Sequence, residues 1–246
     1  MTDILVQHDG PIATVVINRP AVRNAISLAM WTELTRVTEE LGTTDSVRAI
    51  VYRGAGTVAF ASGADISEFR EQRKDAPSAS RYNEQTAAAY PTIRECPKPT
   101  VAMACDLRFA AEGSKFGIPA ARLSIIYGAD SVGQLVDLVG PAYAKDILYS
   151  ARTVDDREAL AMGFIQRLVP PTELEAYTYD YLRKVAENAP LSVRGAKTTI
   201  ESYLAGLTEE RRKKLRDLAV EATESEDYKE GTRAFLEKRA ARFLGR

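Results

Sequence analysis

The chain has 246 residues, 45% of them hydrophobic, so it is long enough to bury one large core or two smaller ones. Its 33 basic and 34 acidic residues give a net charge of −1, which offers no electrostatic attraction to nucleic acid or to an anionic membrane. No apolar run approaches the ~20 residues of a membrane span, and the first residues lack the features of a signal peptide, so we expect a cytoplasmic protein without such partners.

The chain has a single histidine, His8, which limits the kinds of catalytic and metal sites that it can form. A Ser-His-Asp triad, a Cys-His pair or a multi-histidine zinc site would depend on that one residue. His8 lies in an alternating run, Ile4–Asp9, which predicts a solvent-facing position on a strand. Cys96 and Cys105 have no metal-ligand spacing, so we expect reduced thiols and no metal site.

The first elements predicted along the chain are a hairpin and a helix. Two strand-like runs, Ile4–Asp9 and Ile12–Asn18, flank a glycine-proline turn and predict the hairpin. Residues Leu28–Leu41 repeat apolar side chains at helical spacing, and either Asn24 or Ser27 is a candidate cap for this helix.

Mixed strands and helices continue into the middle of the chain. We predict a strand over Val47–Arg53 and a helix over Ser78–Glu95, which two prolines end. Taken without any relative, the strict alternation over Thr100–Ala111 predicts one long strand, followed by another at Lys115–Ile118.

The rest of the chain is predicted to be mostly helical, with one strand at Phe164–Val169. The predicted helices are Val132–Val139, Ala142–Tyr149, Asp155–Met162, Glu173–Asn188, Ser192–Leu204 and a charged pair from Thr208 to the end. A core of mixed α/β units followed by a helical C-terminal part is therefore expected.

One segment, Ala59–Phe69, suggests chemistry. It reads AFASGADISEF, and its small residues allow a ligand to approach the main chain closely. A backbone N–H before a helix lacks a helical partner and can point at a developing negative charge, which is the layout of half an oxyanion hole. Small-residue turns between a strand and a helix are also common as plain structure, so the residues alone leave both interpretations open.

Blocks along most of the chain resemble the crotonase, or enoyl-CoA hydratase/isomerase, superfamily in the family's order. They are Asn18–Ala25, Ala59–Phe69, Cys96–Ala102, Ala104–Glu112, Lys115–Pro119, Ala159–Val169 and Glu230–Lys238. The resemblance implies an α/β fold with a crotonase-like ββα spiral core over residues 1–190 and a helical C-terminal trimerisation region over 191–246.

The same resemblance implies a function. Members bind acyl-CoA thioesters and stabilise an enolate with two backbone N–H groups, so the chain is expected to be an enoyl-CoA hydratase/isomerase-like lyase or isomerase of fatty acid metabolism. Coenzyme A enters as part of the substrate, and no other cofactor is implied. The resemblance further implies self-association as a trimer or hexamer.

The resemblance assigns roles to particular residues. Ala64 would supply the first oxyanion donor, and Arg23 and Lys238 would neutralise or contact the nucleotide. Without the resemblance, both cations read as solvated surface charges. The implied CoA contacts are Ala21, Val22, Arg23, Ser62, Asp65, Ile66, Phe235 and Lys238.

The chain departs from the family at the junction of Met103 and Ala104. The family places a glycine-rich turn and a helix there, with the second oxyanion N–H and a catalytic glutamate of hydratases. Two successive parallel strands need a crossover of a dozen or more residues, and this sequence has none. Two explanations stay open: the full polypeptide carries a loop that this sequence lacks, or the turn has been lost.

A second departure concerns proton transfer. Hydratases usually have a glutamate after the Phe116–Pro119 block, and here the position is Ala120, which cannot move a proton. Tyr127 is expected to line the acyl pocket; family decarboxylases carry a tyrosine nearby, and a phenol can donate or orient a proton. Asp130 is a candidate base, with helix capping as the equally weighted alternative.

Three functions therefore remain in view. The leading expectation is an acyl-CoA enzyme that works through a thioester enolate. A catalytically silent acyl-CoA-binding or assembly subunit is the alternative that Ala120 and the missing turn favour. A family decarboxylase, or a C–C hydrolase for cyclic diketones that needs no CoA, is the third.

Overall fold

The computed structural model describes residues 2–102 and 105–246. The chain divides into two compact units, one made of residues 1–100 with 180–246 and the other of residues 101–179. The division into 1–190 and 191–246 stays a prediction from the family resemblance.

The first unit contains a sheet with the strand order β1-β2-β3-β4. β1 (Ile4–Asp9) pairs antiparallel with β2 (Ile12–Ile17), which confirms the predicted hairpin. β2 pairs in parallel with β3 (Ala49–Gly54), and β4 is the short strand Thr100–Val101. All six residues of β2 are buried, as expected for a strand covered on both faces. His8 lies exposed on β1, as predicted.

Helices α1 to α4 follow in the same unit. α1 (Leu28–Thr43) begins at Ser27, whose side chain accepts from the Met30 N–H at 3.3 Å, so Ser27 and not Asn24 is the cap. Its buried face carries the residues that the helical spacing predicted, among them Met30, Leu34, Val37 and Leu41. α2 (Phe69–Gln72) is a single turn.

The prediction that Ser78–Glu95 is helical is confirmed, but the helix is divided into α3 (Ala76–Ala87) and α4 (Ala89–Glu95), with Ala88 between them. Pro91 lies within the second helix, and a proline can neither donate to the carbonyl of the residue four earlier nor pack closely against it. The helical hydrogen bonding is therefore interrupted where α3 ends.

The predicted strand over Thr100–Ala111 is wrong. β4 ends at Val101, and the next strand, β5, spans only Phe109–Ala111. Between them the Ala102 N–H donates to the Leu107 oxygen at 3.0 Å, and the Cys105 N–H donates to the Ala102 oxygen at 3.0 Å. These bonds are not those of one continuous strand, a difference that the alternating pattern conceals. The junction Met103–Ala104 itself lies outside the described residues.

The second unit is built from two small strand pairs and two helices. Its further elements are β6 (Lys115–Gly117), α5 (Ala129–Ser150), β7 (Thr153–Asp155), α6 (Asp156–Ala161) and β8 (Arg167–Val169). β5 pairs in parallel with β8, and β6 pairs antiparallel with β7. Leu135, Val139, Ile147, Val154 and Ile165 belong to its buried core.

Helix α5 is broken at Gly140, whose φ of 76° is not helical, and Pro141 follows. The sequence predicted two helices on either side of this pair, and the break confirms that prediction.

The C-terminal part of the chain is helical, as the resemblance implied. It contains α7 (Leu174–Ala186), α8 (Pro190–Leu204), α9 (Glu209–Glu224) and α10 (Glu226–Glu237). The carboxylate of Asp227, a buried residue at the start of α10, accepts from the N–H groups of Leu244 at 2.6 Å and Gly245 at 2.7 Å. The last residues are therefore held against α10.

Candidate active site

The segment that follows β3 is held by the side chain of Asn24. Its Nδ2 donates to the carbonyl oxygens of Ala55 at 3.0 Å and Ala59 at 2.7 Å, and its Oδ1 accepts from the Arg19 N–H at 3.0 Å. Asn24 is 1% exposed and has a left-handed backbone, with a φ of 58°, which asparagine tolerates better than most residues. A buried amide with these three hydrogen bonds fixes both ends of this turn.

Gly54, the last residue of β3, lies against the same turn. A Cβ atom added there would lie 2.3 Å from the Ala59 oxygen and 2.5 Å from Asn24 Nδ2. No side chain fits in that space, so the close approach of two backbone segments requires glycine here.

An ion pair holds the next part of the segment. Arg19 Nη1 donates to Asp65 Oδ2 at 2.8 Å and to the Ala25 oxygen at 2.9 Å. The Asp65 carboxylate also accepts from Ser67, through the backbone N–H at 3.0 Å and the hydroxyl at 2.6 Å. Hydrogen bonds from Ser67, and then from Arg19, hold the pKa of Asp65 below its ordinary value. These hydrogen bonds therefore favour the ionised form of Asp65, the residue after Ala64.

Ala64 lies between two backbone hydrogen bonds to Ile26. The Ile26 N–H donates to the Gly63 oxygen at 2.9 Å, and the Asp65 N–H donates to the Ile26 oxygen at 2.9 Å. In such a parallel bridge, the residue between the two bonds turns its own N–H away from its partner. Within residues 2–102 and 105–246, no acceptor takes the Ala64 N–H. The group is held in place and available to a ligand.

Most predicted CoA contacts of the first unit surround this segment. The Ser62 N–H donates to the Arg23 oxygen at 3.0 Å, and the Ser62 hydroxyl to the Val22 oxygen at 3.4 Å. Val22 is 47% exposed and Ile66 is 65% exposed, and Ala21, Arg23 and Ser62 are exposed too. Asp65 differs from these residues, because its side chain is occupied by Arg19 and Ser67.

The two predicted contacts on α10 lie apart from that group. Phe235 is 84% exposed, and Lys238 ends the helix with a left-handed φ of 55°. In the described part of the chain, no hydrogen bond or ion pair joins either residue to residues 21–23 or 62–66. The described polar contacts therefore do not link the two groups.

A polar groove of about 390 Å³ lies between the start of α1 and helices α2 and α3. We call it the α2–α3 groove. Its lining residues are Leu28, Glu71, Gln72, Lys74, Ser78, Arg81, Tyr82 and Gln85. The Leu28 N–H donates to Glu68 Oε2 at 2.8 Å, so the groove adjoins the segment that carries Ala64.

Comparison with known proteins decides the family. Residues 7–246 match the family model described as enoyl-CoA hydratase/isomerase. The chain belongs to the enoyl-CoA hydratase/isomerase family. It is 32% identical to the crystal structure of an enoyl-CoA hydratase/carnithine racemase from Magnetospirillum magneticum, with a TM-score of 0.93 over 100% of this chain and 97% of that one. The crotonase fold is thereby confirmed.

Two curated members of the family are also similar over nearly their whole length. The chain is 28% identical to the short-chain-enoyl-CoA hydratase of Clostridium acetobutylicum over 261 residues, 97% of this chain and 96% of that one. It is 28% identical to the crotonyl-CoA hydratase of Syntrophomonas wolfei over 264 residues, 99% of this chain and 98% of that one. Both alignments are longer than the 246 residues of this chain, so they include gaps in it.

The residues predicted to bear on proton transfer, Ala120, Tyr127 and Asp130, lie in the second unit. Ala120 is 6% exposed and begins a 3₁₀ turn, Ala120–Leu123. Tyr127 is 42% exposed. Asp130 is exposed in the first turn of α5, and the N-cap of that helix is Gly128, so the capping alternative for Asp130 is wrong. The Asp130 carboxylate makes no hydrogen bond or ion pair within the described residues.

Sequence reasoning missed the residues that hold the segment. The sequence predicts Asn24 only as a candidate helix cap, and it assigns no role to Arg19 or Glu68. All three belong to the family-like blocks, but a polar side chain that bonds to a distant backbone leaves no periodic signal. Gly54 gave a signal, since glycine in a strand often marks close backbone approach.

The described residues offer neither a metal site nor a membrane-spanning helix. In residues 2–102 and 105–246, no group of three or more His, Cys, Asp or Glu side chains is placed to hold a metal ion. In the same residues, every helix is too short or too polar to span a membrane. Cys96 and Cys105 are both buried thiols.

Proposed function

We propose that the protein binds acyl-CoA thioesters and that the thioester oxygen accepts a hydrogen bond from the Ala64 N–H. The observation that carries this proposal is an N–H held between two backbone hydrogen bonds to Ile26, with no acceptor among the described residues. Asn24 and Arg19 make the surrounding segment rigid, and a donor fixed before the reaction is what stabilises a developing charge.

The proposed reaction passes through a thioester enolate. Addition of a nucleophile at C3, or removal of a proton from C2, moves negative charge onto the thioester oxygen. A preorganised donor at that oxygen contributes about 3 kcal/mol to the stability of the transition state. Hydration or double-bond isomerisation is the most conservative reaction, and decarboxylation is a variant of the same enolate chemistry. The proposal requires no metal or redox cofactor, because protein N–H groups hold the charge.

Coenzyme A is proposed to lie along the exposed residues next to Ala64. Ala21, Val22, Ser62 and Ile66 offer an exposed surface for the pantetheine and adenine parts. Arg23 and Lys238 are proposed to neutralise phosphates, with Phe235 against the nucleotide. For Asp65 we propose contact through its backbone, since Arg19 and Ser67 occupy its carboxylate.

Proton transfer cannot use Ala120, which has no ionisable group. Asp130 of the second unit is proposed as the base instead. Tyr127, also in that unit, is proposed to line the acyl pocket. The support for Asp130 is an exposed carboxylate that does not cap its helix.

A catalytically silent acyl-CoA-binding subunit is the second candidate, and Ala120 favours it. Sequencing the coding DNA across the codons of Met103 and Ala104 separates the two. An insert that encodes a Gly-Gly turn supplies the second oxyanion donor and supports the enzyme. A direct junction supports the silent subunit.

A C–C hydrolase that acts without CoA is the remaining alternative. Calorimetric titration with coenzyme A distinguishes it. Tight binding that Arg23→Ala abolishes supports the thioester proposal, and the absence of any CoA binding contradicts it.

The experiment that tests the enolate directly uses acetoacetyl-CoA, a 3-ketothioester whose enolate absorbs in the near ultraviolet. We expect the bound ligand to ionise at a lower pH than the free ligand. An ultraviolet assay with crotonyl-CoA then asks whether hydration follows. The names of the two curated relatives, a short-chain-enoyl-CoA hydratase and a crotonyl-CoA hydratase, support the choice of a short acyl chain.

We also propose self-association through the C-terminal helices, as a trimer or hexamer. Large apolar residues there are exposed, among them Ile200 (59%), Tyr203 (72%), Val220 (55%) and Leu236 (75%). Exposed apolar side chains in such number are typical of an interface. Light scattering after size-exclusion chromatography tests the proposal, and a monomer at micromolar concentration contradicts it. A cytoplasmic location stays a prediction.

A further inference from the structure

The stretch around and after Ala64 has little hydrophobic anchoring of its own. All of residues 61–77 are described, and none of them is buried. Ile66, the large apolar residue nearest to Ala64 in this stretch, is 65% exposed. Burial of apolar side chains is the main force that holds a segment in a fold. The position of the Ala64 N–H therefore depends more than usual on polar contacts.

The start of α1 offers this stretch a firm point of attachment. One face of α1 is buried, through side chains that include Trp31, Leu34 and Val37. Ser27 caps the helix by accepting from the Met30 N–H at 3.3 Å. A helix that is packed along one face and capped at its first turn is well fixed in position.

Two contacts join the stretch to the start of α1. The first is the bridge between Ala64 and Ile26, with a bond of 2.9 Å on either side of Ala64. The second is a hydrogen bond from the Leu28 N–H to Glu68 Oε2 at 2.8 Å. The bridge fastens the near end of the turn from Ala64 to Glu68, and the Glu68 carboxylate fastens its far end.

The bond between Leu28 and Glu68 has the chemistry of an anchor. Leu28 is the first residue of α1, and N–H groups at a helix start have no acceptor within the helix. The helix dipole also favours a carboxylate at this end. The bond is part-buried, so water competes with it less than on an open surface. Glu68 thus satisfies a donor of α1 and holds the stretch at the same time.

The turn between Ala64 and Glu68 is short and closed by its own hydrogen bonds. The Glu68 N–H donates to the Asp65 oxygen at 3.2 Å, and the Asp65 carboxylate accepts from the Ser67 N–H at 3.0 Å. A movement of Glu68 is therefore passed on to the peptide that carries the Ala64 N–H.

We infer that Glu68 is a positioning residue for the Ala64 donor. Its carboxylate aims the Ala64 N–H by tying the turn to the start of α1. The inference rests on the proposed thioester function and adds to it a residue that acts on the oxyanion through the backbone of another residue.

The first test measures the pH at which bound acetoacetyl-CoA ionises. Glu68→Ala removes the acceptor, and we expect this pH to rise by about one unit, half the effect of losing a whole oxyanion donor. Affinity for free coenzyme A, which has no thioester oxygen, should stay within about twofold of the wild-type value. Glu68→Gln keeps an oxygen that accepts from the Leu28 N–H and should retain the wild-type ionisation.

Leu28→Pro tests the same bond from its other side, because proline has no N–H. Proline is favoured at the first residue of a helix, and Ser27 before it already has the extended conformation that a following proline requires, with a φ of −74° and a ψ of 164°. We expect the ionisation pH to rise as in Glu68→Ala. Because both changes remove one bond, the double variant should rise no further than either single variant.

Asp155→Ala is the matched control. The Asp155 carboxylate accepts from the Glu158 N–H at 2.8 Å at the start of α6, which is the same kind of bond in the second unit. Its loss should leave the ionisation pH of the bound ligand unchanged. Thermal unfolding checks that every variant is folded.

Four results overturn the inference: an unchanged ionisation in Glu68→Ala, an equal rise in Asp155→Ala, additive rises in the double variant, or a Glu68→Gln variant that behaves like Glu68→Ala. A wild-type protein that does not bind acetoacetyl-CoA, or binds it without lowering the pH at which it ionises, contradicts the proposed function instead.

Discussion

The Arg19 guanidinium and the Asp65 carboxylate meet at 2.8 Å, although 46 residues separate them in the sequence. Their side chains are only 25% and 13% exposed, so water screens the pair less than a surface ion pair. The pair joins the first family-like block to the segment that carries Ala64. It thereby links a sequence motif to the position of one backbone N–H.

Removal of Arg19 should therefore weaken both the fold and the proposed site. Arg19→Ala leaves the Asp65 carboxylate and the Ala25 oxygen without this donor, and we expect a loss of about 2 kcal/mol in the free energy of unfolding. Urea denaturation measures it. The matched control is Arg36→Ala, because Arg36 pairs with Glu33 and Glu40 on an exposed face of α1 and should contribute little. Equal effects of the two substitutions would contradict the role given to Arg19.

Gly54→Ala should be far more damaging than an ordinary glycine substitution. The added methyl group would lie 2.3 Å from the Ala59 oxygen, so the turn must move, at a cost of about 3 kcal/mol. Gly133→Ala in α5 is the control, since its Cβ meets nothing within 4 Å and alanine favours a helix. Thermal unfolding should show a large drop for the first variant and a small gain for the second. Similar unfolding midpoints for the two variants would contradict this explanation.

Asp130→Asn tests the proposed base. Tyr127→Phe tests the residue that is proposed to line the acyl pocket. Because Gly128 is the N-cap of α5, removal of the Asp130 charge should change stability by less than 1 kcal/mol, the usual size of a helix-dipole effect. If Asp130 moves a proton, kcat should fall about a hundredfold. A large loss of stability with unchanged kcat would show a structural role instead.

Residues 239–242, at the start of the C-terminal tail, should loosen from α10 in acid. Hydrogen bonds from Arg239, and then from the Arg242 N–H, lower the pKa of Glu230 from 4.5 to about 2. A carboxylate whose folded pKa is depressed stabilises the fold above its unfolded pKa, and this contribution is lost as the pH falls from 4.5 through about 2. The protection factors of residues 239–242, which compare hydrogen exchange with its intrinsic rate at each pH, should fall in that window, while residues 244 and 245 stay bonded to Asp227.

Glu230→Gln provides the comparison for the acid transition. Without the titrating carboxylate, the protection factors of residues 239–242 should already be low at pH 6 and should vary little with pH. A variant that keeps the wild-type pH dependence would assign the transition to another group.

How much of this structure the sequence predicts depends on the kind of interaction. Periodic burial revealed the hairpin, helix α1 and the two halves of α5, because apolar side chains repeat wherever one face meets a core. Pro91 explains why the helical hydrogen bonding is interrupted before α4, although the surrounding residues follow a helical pattern. Strand β7, only Thr153–Asp155, is too short to show a period.

The candidate site was predicted only in part. Small residues and family resemblance pointed to Ala64, but the geometry that leaves its N–H available arises from the bridge to Ile26. The same holds for Asn24, which bonds to carbonyls 31 and 35 residues away. Contacts between a side chain and a distant backbone carry no local pattern, so they become visible only in three dimensions.

The most direct test of the central proposal removes the Ala64 N–H and nothing else. Replacing Ala64 with lactic acid puts an ester oxygen in place of that N–H and keeps the methyl side chain. The readout is the pH at which bound acetoacetyl-CoA ionises, with CoA affinity as the control for folding. We predict that the ester variant binds CoA normally and that its bound ligand ionises about two pH units higher, the equivalent of one oxyanion donor. An unchanged ionisation in the ester variant would contradict the proposal that Ala64 is the donor.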